Sequence, residues 1–156
     1  MSDADDRDAW HGLPPNPYNR HTLFIRGDNY GAPGSPTIGE GTWIGPFTVI
    51  DGSGGLIIGK GCDISAGAHV YTHSTVARCL SERKPGVTVI RRPTELGDYV
   101  HVGANAVIMM GSRIGHHSVI GAGAIVLENT EVPPYSIVVG VPGRVLETTT
   151  RKWTDG

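Results

Sequence analysis

The sequence predicts an all-β chain, a parallel β-helix of six-residue repeats interrupted by one long excursion at about 74–95. Three observations carry that prediction. Large aliphatic residues return at every sixth position over long stretches, and glycine follows many of them ("IGEGTW", "IGKGCD", "IGHHSV", "IGAGAI"). The rhythm then fails over one long segment, "VYTHSTVARCLSERKPGVTVIRRPTEL", residues 70–96. A helical face repeats near 3.6 residues and a simple strand at two, so neither accounts for a period of six.

The elements follow in chain order. Residues 1–36 keep no rhythm and carry "GLPPNPYNR" and "GAPGSP". They are expected to wrap over the first coil and cover its open strand edge. The repeat begins with Ile38, Ile44 and Ile50 and, after a two-residue insertion in "DGSGG", continues with Ile58, Ile64 and Val70. Beyond the excursion it runs through Leu96, Val102, Ile108, Ile114, Ile120, Val126, Val132 and Val138 without a miss. Four positions after each of these stands a small or slim residue: Val100, Ala106, Ser112, Ser118, Ala124, Thr130, Ser136 and Pro142. Each hexad thus reads as a short strand and a turn, the aliphatic inward and the small residue at the corner. Three hexads close a triangular coil. A single coil cannot bury its apolar face, so coils stack at the strand spacing of roughly 4.8 Å. The inward slot at 144 holds arginine and ends the repeat, which gives a β-helix domain over 37–145 and a tail over 146–156.

Composition narrows the function. A chain of 156 residues with 23 glycines and 6% aromatics suits one domain with a turn-rich, narrow core. A formal charge of −2 offers no basic field for nucleic acid, and no polybasic run marks a membrane surface. The acidic start "MSDADDRDAW" resembles neither a signal peptide nor a span, so the expected location is the cytoplasm. Two cysteines make no disulfide framework: Cys62 fills a corner slot, and Cys79 lies in the excursion.

Two features could carry chemistry. Stacking the hexads by face gives a lane of small residues: Gly45-Pro46, Ser65-Ala66, Gly103-Ala104, Gly121-Ala122 and Val139-Gly140. Such a lane leaves backbone amides open along a shallow track suited to a long thin ligand, although small residues also simply suit tight turns. The second feature is His73, at the root of the excursion, where a loop leaves a rigid scaffold. One coil below lies "DGSGG", the other irregularity, so Asp51 and Ser53 should approach Tyr71 and His73. A histidine with a carboxylate nearby and two loops as walls fits a general base with an acceptor site. Asp51 also reads as a plain turn residue before Gly52. His69, His101, His116 and His117 show no spacing that demands a metal, and none is expected. Arg83, Lys84, Arg91 and Arg92 punctuate the excursion and read most simply as solvated charge.

The stretch "LGDYVHVGANAVIMMGSRIGHHSVIGAGAIVLENTEVPPYSIVVGVPGRVL" resembles the end of the hexapeptide-repeat acyltransferases, particularly the sugar and polysaccharide O-acetyltransferases akin to the galactoside and maltose enzymes. "IGKGCDISAGAHVYTHSTVARCL" is similar to that family's approach to its catalytic histidine, and the match covers roughly 37–147. The resemblance implies a left-handed β-helix, a homotrimer, and acetyl-CoA in a groove between neighbouring subunits. It implies His73 as catalytic base, Gly103, Ala104, Ala122 and Gly123 along the pantetheine arm, and Arg144 at the nucleotide end. Two departures concern ligand contacts. His101 stands where the family often has tryptophan, and an acceptor-binding asparagine near Phe47 is lacking.

The expected activity is acetyl-CoA-dependent O-acetylation of a sugar or polysaccharide-related hydroxyl. The alternatives are N-acetylation of an amino sugar, a γ-type carbonic anhydrase, and a non-catalytic β-helix assembly module. The carbonic anhydrase would need histidines where "VGANAVIMMG" has Ala104 and Met109.

Overall fold

The computed structural model describes residues 21–25, 34–146 and 149–154. Strands are numbered in chain order. The first sheet contains β1 (Leu23–Ile25), β4 (Val49–Asp51), β7 (His69–Val70), β12 (Val107–Ile108) and β15 (Ile125–Val126). The second contains β2 (Thr37–Ile38), β5 (Leu56–Ile58), β10 (Thr94–Leu96), β13 (Arg113–Ile114) and β16 (Glu131–Val132). The third contains β3 (Trp43–Ile44), β6 (Asp63–Ile64), β11 (His101–Val102), β14 (Val119–Ile120), β17 (Ile137–Val139) and β18 (Arg144–Leu146). Successive strands visit the three sheets in turn, which makes the parallel β-helix expected from the repeat, left-handed as the family resemblance implies.

The register follows from the period of six. Ile44, Ile64, Val102, Ile120 and Val138 are mutual partners along one sheet. Ile50, Val70, Ile108 and Val126 align along the next, and Ile58, Leu96, Ile114 and Val132 along the third. All of these side chains are buried in one continuous core. Each fully buried aliphatic contributes about 1.5–3 kcal/mol, so the stacked columns hold the scaffold. Most of the small corner residues are buried too, Thr130 and Pro142 excepted, and buried polar atoms among them find partners. Thr42 Oγ1 donates to the Gly59 carbonyl at 2.7 Å, Ser118 Oγ to that of Pro133 at 3.0 Å, and the Cys62 thiol to that of Gly97 at 3.2 Å.

The corners need left-handed backbone, and aromatic side chains occupy several of these sites. Tyr99, His117 and Tyr135 have φ of 56°, 57° and 59° at equivalent corners of successive coils. Their rings form a ladder, with centroids 5.0 Å apart for Tyr99–His117 and for His117–Tyr135. The stacking offsets part of the strain that a bulky residue carries at positive φ.

Three features refine the expected boundaries. The excursion begins at His73 rather than Ser74 and is not a bare loop. It is a two-stranded antiparallel hairpin, β8 (His73–Ser74) with β9 (Ile90–Arg91), tipped by the short helix α1 (Val76–Leu80). The Arg92 N–H already returns to the Thr72 carbonyl at 2.9 Å, and Thr94 is back in the second sheet opposite Leu56. At the other end, the last parallel rung is Ile137–Val139. Arg144 lies in β18, which doubles back antiparallel along β17. Of the segment 1–36, β1 adds to the first sheet by pairing with β4, while 1–20 and 26–33 lie outside the described residues. In the tail, the Thr150 hydroxyl donates to the His117 carbonyl at 2.6 Å and leads into the short helix α2 (Arg151–Thr154). Among the described residues, no helix is long and apolar enough to cross a membrane.

Candidate active site

The two interruptions of the repeat meet. β4 and β7 are neighbours in register through Ile50 and Val70, so the chain leaving each strand emerges at the same corner. There the Asp51 carboxylate turns back into the structure, and its oxygens are fully subscribed. Oδ1 accepts the Ser53 N–H at 2.9 Å, and Oδ2 accepts the Thr72 N–H at 2.8 Å and lies 2.5 Å from His73 Nδ1. Thr72 completes the junction. Its hydroxyl donates to the Asp51 carbonyl at 2.9 Å and accepts the Gly54 N–H at 2.8 Å. Gly54 is required here, because a Cβ would collide with the Thr72 carbonyl.

Burial pushes the Asp51 carboxyl up. The hydrogen bonds from the Ser53 hydroxyl, the Thr72 and Ser53 amides and His73 outweigh it and hold the group below the ordinary carboxylate range. Asp51 is therefore ionised at neutral pH and acts only as an acceptor. The proton in its contact with His73 must then sit on Nδ1. In the neutral imidazole that tautomer carries the lone pair on Nε2, and a quarter of the side chain is accessible (26%). A cavity of about 310 Å³ opens beside it, walled by Ser53 and Ile25 on one side and by Thr75, Arg78, Val89 and Arg91 of the excursion on the other.

The depressed Asp51 pKa makes stability depend on pH in a definite direction. Its contribution is complete above the unfolded value of about 3.9 and is lost as pH falls through the folded value. We expect the difference in melting temperature between the native chain and Asp51→Asn, measured by circular dichroism, to narrow as pH is lowered from 6 to below 3. A constant difference across that range would mean that the carboxylate is not ionised in the fold.

The predicted acceptor contacts fare differently. Asp51 has no exposed surface, so it cannot touch an acceptor and belongs instead to His73. Ser53 is buried but borders the cavity. Tyr71 is not part of the cavity lining; its hydroxyl lies 3.1 Å from His69 Nδ1 and its ring is edge-on to His73 at 6.1 Å. Burial, and then the Asp51 charge, push its phenol up and keep it protonated. Thr72, Arg78 and Arg91 were not singled out as site residues. Thr72 sits inside the quoted "YTH", and the two arginines become neighbours of His73 only through the hairpin.

The lane of small residues lies at the opposite end of the first-sheet strands. Ala104, Ala122 and Gly123 are exposed along it, whereas Gly103 is buried. The expected open amides are partly spent. Gly103, Gly121 and Gly123 donate to the carbonyls of Ile120, Val138 and Ala104 at 2.7, 2.8 and 2.8 Å, because stacking the coils consumes them. Arg144 is exposed, and its guanidinium donates to the neighbouring Gly143 carbonyl at 3.1 Å. A larger open groove of about 950 Å³ runs over the second sheet between Lys60 and Pro133. It is an outer face of the solenoid and lies away from the His73–Asp51 pair. Cys62 is buried, which pushes its thiol up and keeps it inert, while Cys79 is exposed on α1.

Comparison with known proteins agrees with this fold. The family described as "Hexapeptide repeat of succinyl-transferase" matches residues 37–72 and 93–128, breaking where the excursion departs and resuming where it returns. A hexapeptide-repeat acetyltransferase of Vibrio cholerae is 32% identical, over 72% of this chain and 62% of that one, with a TM-score of 0.65. A structure of that acetyltransferase complexed with acetyl coenzyme A, from Vibrio cholerae O1 biovar eltor, gives 32% identity, 73% and 60% coverage and a TM-score of 0.64. This chain thus spans about three fifths of the length of these relatives. A maltose O-acetyltransferase of Clostridium difficile 630 is 25% identical over 82% of this chain and 65% of that one, with a TM-score of 0.66. The N-acyltransferase AntD of Bacillus cereus, at 23% identity, 88% and 71% coverage and a TM-score of 0.68, shares the fold. No curated protein sequence matches this chain. The chain thus carries the hexapeptide repeat and shares its fold with the hexapeptide-repeat acetyltransferases.

Proposed function

We propose that the protein is an acetyl-CoA-dependent O-acetyltransferase acting on a sugar or polysaccharide-related hydroxyl by direct transfer. The observation that carries this reading is the buried Asp51 carboxylate fixing His73, with its lone pair on Nε2, beside a 310 Å³ cavity. The likeness to an acetyltransferase solved with acetyl-CoA supplies the donor.

In this reading His73 Nε2 takes the proton of the acceptor hydroxyl as that oxygen attacks the thioester carbonyl. The tetrahedral intermediate collapses, the carbon–sulfur bond breaks, and the imidazolium returns its proton to the departing CoA thiolate. Asp51 is a positioning residue that holds the tautomer and stabilises the imidazolium. Holding both substrates in one site supplies the proximity advantage, so no acyl-enzyme is needed. Acetyl-CoA lies along the exposed Ala104, Ala122 and Gly123, with Gly103 beneath and Arg144 at the nucleotide end. Because that lane and the His73 cavity stand at opposite ends of the same strands, the cavity of one copy faces the lane of another in a homotrimer. The protein works in the cytoplasm, where acetyl-CoA is available.

The test is release of free CoA thiol from acetyl-CoA across neutral sugars, amino sugars and nucleotide sugars, with the acetylated product treated with alkaline hydroxylamine. We expect turnover with at least one sugar and a hydroxylamine-labile ester as product. A hydroxylamine-stable amide would assign N-acetylation, and the absence of both CoA binding and thiol release would leave a non-catalytic module.

A further inference from the structure

We propose that the cavity beside His73 is an anion-recognition site: the acceptor carries a carboxylate or phosphate that Arg91, with Arg78, holds next to the reacting hydroxyl. This deepens the acetyl-transfer reading and rests on it for the chemistry of the hydroxyl, though the anion site stands on its own geometry.

Arg91 is the direct cross-strand partner of His73 in the excursion hairpin. Residues opposite one another in an antiparallel pair project from the same face with Cβ atoms roughly 4.5–5.5 Å apart. Both side chains line the cavity, together with Arg78 from α1 and the hydroxyls of Ser53 and Thr75. Among the described residues, the lining contains two guanidinium groups and no carboxylate. The ionised carboxylate nearby, Asp51, is buried with both oxygens already engaged by Ser53, Thr72 and His73, so it forms no ion pair with Arg91.

Arg91 Nε is buried and makes no hydrogen bond among the described residues. A sealed guanidinium N–H without an acceptor is a costly arrangement in a structure held for stability alone. Its sequence neighbour Arg92 shows the ordinary alternative, an exposed side chain donating to Asn129 Oδ1 at 2.7 Å. The Thr75 hydroxyl makes no capping hydrogen bond to α1 and is a further donor at the cavity wall. The Arg91 guanidinium at the cavity wall, a second guanidinium and a hydroxyl match the oxygen fan of a carboxylate or phosphate. The hairpin register sets that anion about one sugar ring from His73, which points to uronic acids and sugar phosphates as the acceptor class.

The experiment compares galactose, galacturonate and galactose 1-phosphate by calorimetric titration into the full chain with CoA at saturation, so that nucleotide phosphates do not compete. Thiol release with the same three sugars is measured in parallel. In the native chain we expect one or both anionic sugars to bind at least about tenfold tighter than galactose, the two arms separating carboxylate from phosphate. Arg91→Gln should abolish that preference and Arg91→Lys should restore only part of it. If Arg91→Gln does not fold, Arg78→Gln on the exposed helix carries the test through a reduced preference. Equal affinity for charged and neutral sugars, no binding of either anionic sugar, or a preference that survives these substitutions overturns the proposal. Anion binding without thiol release keeps the site and defeats acetyl transfer. Thiol release without any charge preference does the reverse.

Discussion

His73→Ala is expected to lower turnover by a factor of about 10²–10⁴, the usual contribution of a positioned general base, or about 2.7–5.4 kcal/mol of barrier. The measurement is thiol release from acetyl-CoA at saturating acceptor. The loss should fall on kcat, because the proton is taken only as the hydroxyl attacks and His73 is not expected to bind the donor. The dissociation constant for acetyl-CoA should stay within a few-fold of native. The fold should survive as well. Without the imidazole, Asp51 keeps the amides of Ser53 and Thr72, and the three aliphatic columns of the coil are untouched. An unchanged kcat would remove His73 from the reaction. A parallel loss of acetyl-CoA binding would make it a structural or donor-binding residue.

The coil was legible because its physics is local and repeated. Each inward aliphatic is set by the same six-residue rule, so Ile64 opposite Val102 could be read from spacing before any contact was seen. The meeting of Asp51 with His73 followed from the same rule, since two interruptions in neighbouring coils emerge at one corner. What the repeat did not govern was harder to read. The pairing of His73 with Arg91 belongs to a hairpin with its own register, and nothing in the period of six sets which residue crosses to which. Arg91 therefore read as one of several loop cations. The reversal of β18 was hidden for a similar reason, because a break in the pattern says where parallel stacking stops and not which way the chain turns. The role of Asp51 is hidden for another reason: spacing brings a carboxylate near the histidine but does not show that it is fully buried.

Asp51→Asn is expected to damage both activity and stability, and the way it does so follows from the oxygen inventory. In the native chain Oδ2 serves the Thr72 amide and His73 Nδ1, while Oδ1 serves the Ser53 amide. An asparagine has one acceptor oxygen and one donor NH2 to cover these three contacts. With its oxygen in the Oδ2 place, it keeps Thr72 and the Nδ1–H tautomer but turns a donor against the Ser53 N–H. With its oxygen in the Oδ1 place, it keeps Ser53, orphans the Thr72 N–H and donates to Nδ1. The imidazole proton then moves to Nε2, where the base needs its lone pair. Each orientation leaves one buried amide unpaired, at about 1–3 kcal/mol, so neither dominates. For a chain of this size that corresponds to a fall of about 2–12 °C in melting temperature at neutral pH. Activity suffers twice, from the misplaced proton in one orientation and from the missing negative charge behind the imidazolium in both. By analogy with the same substitution in a serine-protease triad, which costs about 10⁴ in kcat, turnover should fall by about 10²–10⁴. The diagnostic control is Ser53→Ala, which keeps the carboxylate charge and both amide contacts. Its kcat should fall far less than that of Asp51→Asn, with any loss appearing in acceptor KM. If Asp51→Asn lost stability but kept native kcat, the carboxylate would be a corner brace of the coil, and His73 would hold its tautomer by other means.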